Sequence, residues 1–169
     1  INCVGQSCSV SEGFTFGVPE TPLTQDAVIN EVLFNPAGDG VDFVEIVNRS
    51  HKILNLRDMV LGTVREDAFG AMDTLLYTLV EADFLFLMGE LVILTRDPDR
   101  VQDQYTCGDP SRFCQLGSFP VLTNDEGSVM LLNRSGQVID RMEYRDDMHH
   151  PLLKITDGVS LERLHPDRS

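Results

Sequence analysis

His149 and His150, with Asp146 and Asp147 just before them, form the most ligand-like cluster of the chain. Imidazole together with carboxylate suits a transition metal. Neighbouring residues of an extended chain point to opposite faces, however, so two consecutive rings rarely reach one ion. Pro151 also restrains the backbone that follows. The expectation is structural: these rings pack and hydrogen-bond at one end of the fold, with a transition-metal site at His149 and His150 as the alternative. Glu31 and Glu45 are a second candidate, placed in two consecutive β-rich segments. Paired carboxylates can do the acid–base work of glycoside hydrolysis, or they can accept hydrogen bonds from Arg141 or Arg163. The chain has no Trp and three Tyr, which weakens a sugar-stacking site. A third set, Asp39, Asp42, Asp125 and Glu126, lies in or beside turns. Oxygen-rich loops hold calcium, but the spacing matches no EF-hand. Calcium is the cation these four would take, and no cofactor is required. Ser128 and Ser160 lack a nucleophile elbow, and no glycine-rich loop cradles phosphate. The expectation is that the chain is not an enzyme.

The four cysteines fall in local pairs, Cys3 with Cys8 and Cys107 with Cys114. An even count in local pairs fits two loop disulfides and an oxidising compartment. Structural zinc prefers shorter knuckles, with histidine in register. Acidic residues number 27 against 13 basic ones, for a formal charge of −14. Nucleic acid and anionic lipid would both be repelled. No run approaches the ~18 apolar residues of a membrane span. The chain begins at Ile1 with no basic and apolar leader after it, which reads as a mature or excised piece. Asn48-Arg49-Ser50 and Asn133-Arg134-Ser135 are formal glycan acceptors.

The elements that must position these residues are short and β-rich. A chain of 169 residues fits one domain, with or without a tail. Residues 1–25 carry several Gly, Pro, Ser and Thr and read as a linker or arm, leaving 26–169 as the folded domain. Strands are expected over 27–34, 41–48, 53–62, 90–95, 127–133, 137–144 and 158–164, each bounded by turn-forming residues. Their regular punctuation indicates a β-sandwich or barrel, not a βαβ fold. Residues 65–84 read as a long loop or a short helix. Asp97-Pro98 opens a helical turn, with Asp97 as N-cap and Pro98 at the first helical position. Along 138–144, Val138, Met142 and Tyr144 are expected on one face with Asp140 the polar exception. Arg141 and Glu143 take the other face.

Several stretches carry a family likeness. They are Ile29-Asn30-Glu31-Val32-Leu33-Phe34-Asn35-Pro36, Asp42-Phe43-Val44-Glu45-Ile46, Asn55-Leu56-Arg57-Asp58 and Leu91-Val92-Ile93-Leu94-Thr95. Leu122-Thr123-Asn124-Asp125-Glu126-Gly127, Asp147-Met148-His149-His150-Pro151-Leu152-Leu153 and Gly158-Val159-Ser160-Leu161-Glu162-Arg163 complete the set. Together they span about residues 26–165, and the chain resembles a lamin-tail domain of exported bacterial proteins. The resemblance implies an all-β, immunoglobulin-like β-sandwich with a few short helical turns in its loops and no catalytic centre. It also implies a further Trp-bearing segment after Arg163, which this chain lacks; the likeness reads it as shortened at the C-terminus. The rod of animal lamins is absent.

The sequence thus predicts a secreted, periplasmic or cell-surface module that binds, tethers or spaces. Its partner would be an unknown protein or cell-surface ligand, with no nucleic acid and no membrane insertion, and the isolated domain would be a monomer. The rival expectations are an accessory domain of an exported nuclease, phosphatase or protease, and a metal-dependent enzyme.

Overall fold

Short runs of Val, Ile, Leu and Phe between turn residues fold as strands, because branched and aromatic side chains pack well on a pleated surface. The computed structural model describes residues 2–4, 7–9, 17–66, 69–105 and 109–164. Its strands are β1 (Asn2–Val4), β2 (Ser7–Ser9), β3 (Ala27–Leu33), β4 (Phe43–Asn48), β5 (Leu54–Asn55), β6 (Met59–Glu66) and β7 (Met72–Thr78). They continue with β8 (Leu85–Phe86), β9 (Leu91–Thr95), β10 (Phe113–Gln115), β11 (Glu126–Asn133), β12 (Val138–Arg145) and β13 (Leu161–Glu162). The α-helix α1 spans Pro98–Gln104; Asp97 caps it by accepting from the Arg100 N–H, and Pro98 sits in its first turn. The fold is an all-β sandwich.

One sheet has five strands in the order β10-β9-β4-β3-β13, and the other has four in the order β12-β11-β6-β7. Between them lies a core that includes Ile29, Val44, Ile46, Val92 and Leu94 from the first sheet. Leu61, Val129, Leu131 and Ile139 face them from the second. Full burial of each such side chain is worth about 1.5–3 kcal/mol. A second, smaller cluster lies on the opposite face of the five-stranded sheet, where Val101 of α1 packs on Leu33, Val41 and Phe43.

Two β-bulges decide what faces where. In β3 the pairing with β4 slips between Ile29 and Glu31, so Asn30 is an extra residue. A bulge lets two consecutive side chains leave by one face, and Asn30 and Glu31 do so. In β12 the pairing with β11 slips at Leu131/Leu132, leaving Ile139 without an opposite partner. Ile139 and Asp140 are both buried, while Val138 is exposed. The expected facing is corrected there: Val138 does not share the core face with Met142 and Tyr144.

Residues 65–84 also differ from expectation, since Met72–Thr78 is a full edge strand paired to β6. The arm holds structure as well. β1 and β2 pair with each other in a two-stranded sheet. The Glu20 N–H donates to the Ile53 carbonyl, and the Gln25 N–H to the Ile139 carbonyl, each at 2.8 Å. No helix among the described residues is long and apolar enough to cross a membrane.

Candidate functional site

Cross-strand register builds one row of side chains over the outer face of the five-stranded sheet. Glu162 of β13 is opposite Glu31 of β3, Glu31 is opposite Glu45 of β4, and Glu45 is opposite Ile93 of β9. Phe113 of β10 is next after Ile93. Directly opposed like charges destabilise a sheet, so three glutamates in a row are a costly arrangement.

A groove of about 860 Å³ opens over this row. Its floor is Glu31, Glu45, Ile93 and Phe113. The α1 end supplies Val101 and Tyr105, and the β8–β9 turn supplies Leu87 to Leu91. Tyr105 meets Phe43 edge to face, with ring centroids 5.9 Å apart. Its hydroxyl donates to the Gly158 carbonyl at 2.9 Å, tying α1 to the turn before β13. Gly158 has φ +77° with Ala37 Cβ close by, so a side chain there would be both strained and crowded.

The groove has two electrostatic halves. In one, Arg112 pairs with Glu90 at 2.9 Å and lies 3.8 Å from Asp109. In the other, Glu45 receives the Asn30 side-chain amide at 2.8 Å, and Glu31 accepts the Ser160 hydroxyl. No basic side chain among the described residues pairs with Glu31, Glu45 or Glu162. Partial burial pushes the Glu45 carboxyl above its ordinary range; the Asn30 amide opposes this, and the charges of Glu31 and Glu162 add to it. Burial likewise raises the Tyr105 hydroxyl, with Glu31 contributing.

The arginines considered as partners for these glutamates are engaged elsewhere. Arg163 donates to Asp140 at 2.8 Å, both side chains deeply buried. Arg141 bonds Glu143 and the Ser128 hydroxyl.

The other candidate residues are dispersed. Asp39 is exposed and ion-paired with Arg100. Asp42 is half-buried; desolvation pushes its carboxyl up to about 6 against the opposing Leu122 N–H and Arg96 charge. Asp125 and Glu126 are exposed, and the Asp125 carbonyl accepts the Asp146 N–H. No three His, Cys, Asp or Glu side chains among the described residues converge to hold a metal ion. His149 is buried and stacked on Phe34 at 5.8 Å, and Phe34 stacks on Tyr144 at 4.5 Å. Its Nε2 has no hydrogen-bond partner among the described residues. His150 is exposed and accepts the Leu152 N–H on Nδ1 at 3.3 Å. The two rings diverge, one to the core and one to solvent.

The cysteine expectation is corrected at Cys114. The backbone register sets Cys3 opposite Cys8. Cys107 lies outside the described residues. Cys114 is a free, buried thiol, not half of a disulfide. The parity of β10 turns its Sγ into the core, 3.6 Å from the Leu79 carbonyl, and burial pushes the thiol up to about 11.

The two formal glycan acceptors are turn devices. Asn48 and Asn133 are buried. Each side-chain oxygen accepts both the N–H and the hydroxyl of the serine two residues on. Each Nδ2, the atom a glycan would take, is also engaged: Asn48 donates to the Lys52 and Phe86 carbonyls and Asn133 to the Pro22 carbonyl and the Gln137 side-chain oxygen, so neither amide is open to a glycan in the folded state.

Sequence reasoning singled out Glu31 and Glu45 but missed Tyr105, Phe113 and Arg112, which have no motif; only the fold gathers them. The chain matches no family model, and no curated protein matches it either.

Proposed function

We propose that this protein is a non-catalytic, exported or surface-displayed binding or tethering module of lamin-tail type, with an immunoglobulin-like arrangement of its sandwich. Its ligand face is the groove over Glu31, Glu45, Ile93 and Phe113. The single observation that carries this reading is that groove: concave, floored by apolar and aromatic side chains, with carboxylates converging at one end. Its neighbour in a longer protein would be a surface anchor or an exported hydrolase that the module serves. No cofactor is needed for such a role, and calcium at the acidic turns is optional.

A second reading has one observation behind it. Glu45 is held above its ordinary range beside Glu31, and a pair of opposed carboxylates can share acid–base work. One experiment separates the two. The purified protein is offered esterase, phosphodiesterase and glycosidase substrates, with and without added zinc, manganese and calcium. Expected is no turnover above background. Turnover that disappears in Glu45→Gln or His149→Ala would overturn the module reading.

A further inference from the structure

We infer that the groove is a socket for a basic side chain, lysine or arginine, of a partner polypeptide. The inference rests on the binding-module reading and supplies its ligand class.

The two halves of the groove point to the occupant. Arg112 shows how this surface satisfies a cation: a guanidinium lies between the carboxylates of Glu90 and Asp109. The other half repeats the carboxylates, in Glu31 and Glu45 with Glu162 behind them, and among the described residues no cation pairs with them. Each of these glutamates has at most one neutral donor among the described residues, while an ionised carboxylate can accept several hydrogen bonds. An incoming ammonium or guanidinium would meet that shortfall and relieve the like-charge row at once.

The walls select the rest of the side chain. Lysine and arginine carry an apolar stem that packs while the charged head is satisfied. Ile93, Phe43, Tyr105 and Phe113 form such a wall beside the carboxylates, and aromatic faces add attraction for a cation. A hydrated divalent ion has no apolar stem to pack on this wall.

The rim argues for a polypeptide. Met88 is 59% exposed and Leu91 40% exposed, both on the groove edge. They extend the apolar contact past the reach of one side chain, so residues flanking the basic one have a place to lie. The formal charge of −14 favours approach of a basic segment.

The test is an NMR titration of the full chain with the peptide acetyl-Gly-Leu-Lys-Leu-Gly-amide and its norleucine twin. Expected are saturable shifts at Glu45, Ile93, Tyr105 and Phe113 with the lysine peptide. Affinity should fall by about tenfold or more for the norleucine peptide and for the Glu31→Gln/Glu45→Gln variant, the loss of a charged hydrogen bond. Arginine in place of lysine should retain binding. The isosteric variant keeps its neutral partners, and an unchanged or raised melting temperature shows that it folds. Equal affinity for both peptides, shifts confined to the Asp125–Glu126 turn, or an unaffected double variant would each overturn the socket. Those outcomes leave the module reading standing, because turnover in the substrate panel is what overturns that.

Discussion

Asp140 and Glu45 are carboxylates on strands of the same sandwich, and their surroundings could hardly differ more. Asp140 is buried between β3 and β12 and receives the Ile29 N–H at 2.8 Å, the Gln25 amide at 3.0 Å and the Arg163 guanidinium at 2.8 Å. Glu45 is half-buried, receives one neutral amide, faces Glu31 and feels the charge of Glu162 beyond it. Burial alone therefore does not mark a functional acid. The number of donors that meet the charge does. Asp140 is saturated and holds the two sheets together, whereas Glu45 has acceptor capacity to spare in an open groove.

The largest effect should come from breaking the saturated side. Asp140→Ala takes the acceptor from the Ile29 N–H and the buried carboxylate from Arg163, and removing one member of a buried pair costs about 3–5 kcal/mol. A urea midpoint shift close to zero would show that the ion pair does not join the sheets.

The pH dependence of stability sharpens the contrast. The Asp42 carboxyl is raised in the folded protein to about 6 from 3.8. The folded state thus holds that proton more tightly than the unfolded chain. Its contribution favours folding below about pH 4 and is lost as pH rises through about 6. Asp42→Asn should flatten the fall in melting temperature across that window. An unchanged slope would mean that Asp42 is solvated like any exposed carboxylate.

Glu45→Gln should have a smaller effect, of opposite sign to that of Asp140→Ala. The glutamine oxygen still accepts from Asn30 while one of the opposed charges is removed, so stability at neutral pH should rise by up to about 1 kcal/mol. Loss of stability instead would show that the charge is compensated in the folded protein.

The cysteines test placement with almost no effect on stability. Cys114 should resist alkylation in the folded protein and react after unfolding, since a buried thiol with a raised pKa is inert. Cys3 and Cys8, set opposite by the β1–β2 register, are close enough across the hairpin for a disulfide. Mass spectrometry after non-reducing alkylation should find those two oxidised. Rapid native labelling of Cys114 would place β10 with the opposite face inward.

Much of the sandwich was legible because alternation and turn residues speak locally. β3, β4, β9 and β11 lie where their apolar runs ended at Asn, Asp or Gly, and α1 starts at Asp97-Pro98 as its cap dictates. β7 was not legible. Leu75, Leu76 and Leu79 are spaced as on a helix, and an edge strand with one solvent face has too weak an alternation to outvote them. The facing of β12 failed for a different reason: a bulge shifts parity midway, and nothing in Val138-Ile139-Asp140 announces one. The same kind of bulge at Asn30 delivers Glu31 to the groove. Thus the two glutamates could be named from sequence as a pair. Their meeting with Tyr105, Phe113 and Arg112 depends on strand order, which no local pattern carries. Cys114 shows the limit of spacing arithmetic, since strand parity, not distance to Cys107, decides where its thiol points.

The most direct measurement is the titration of the Glu45 side-chain carboxyl carbon, followed by NMR in the full chain and in Glu31→Gln. Expected is a midpoint above the ordinary glutamate value of 4.5, which moves down when the Glu31 charge is removed. A midpoint at or below that value, or one indifferent to Glu31→Gln, would mean that Glu45 is as well met by donors as Asp140, and the groove would lose its claim to be a site awaiting a cation.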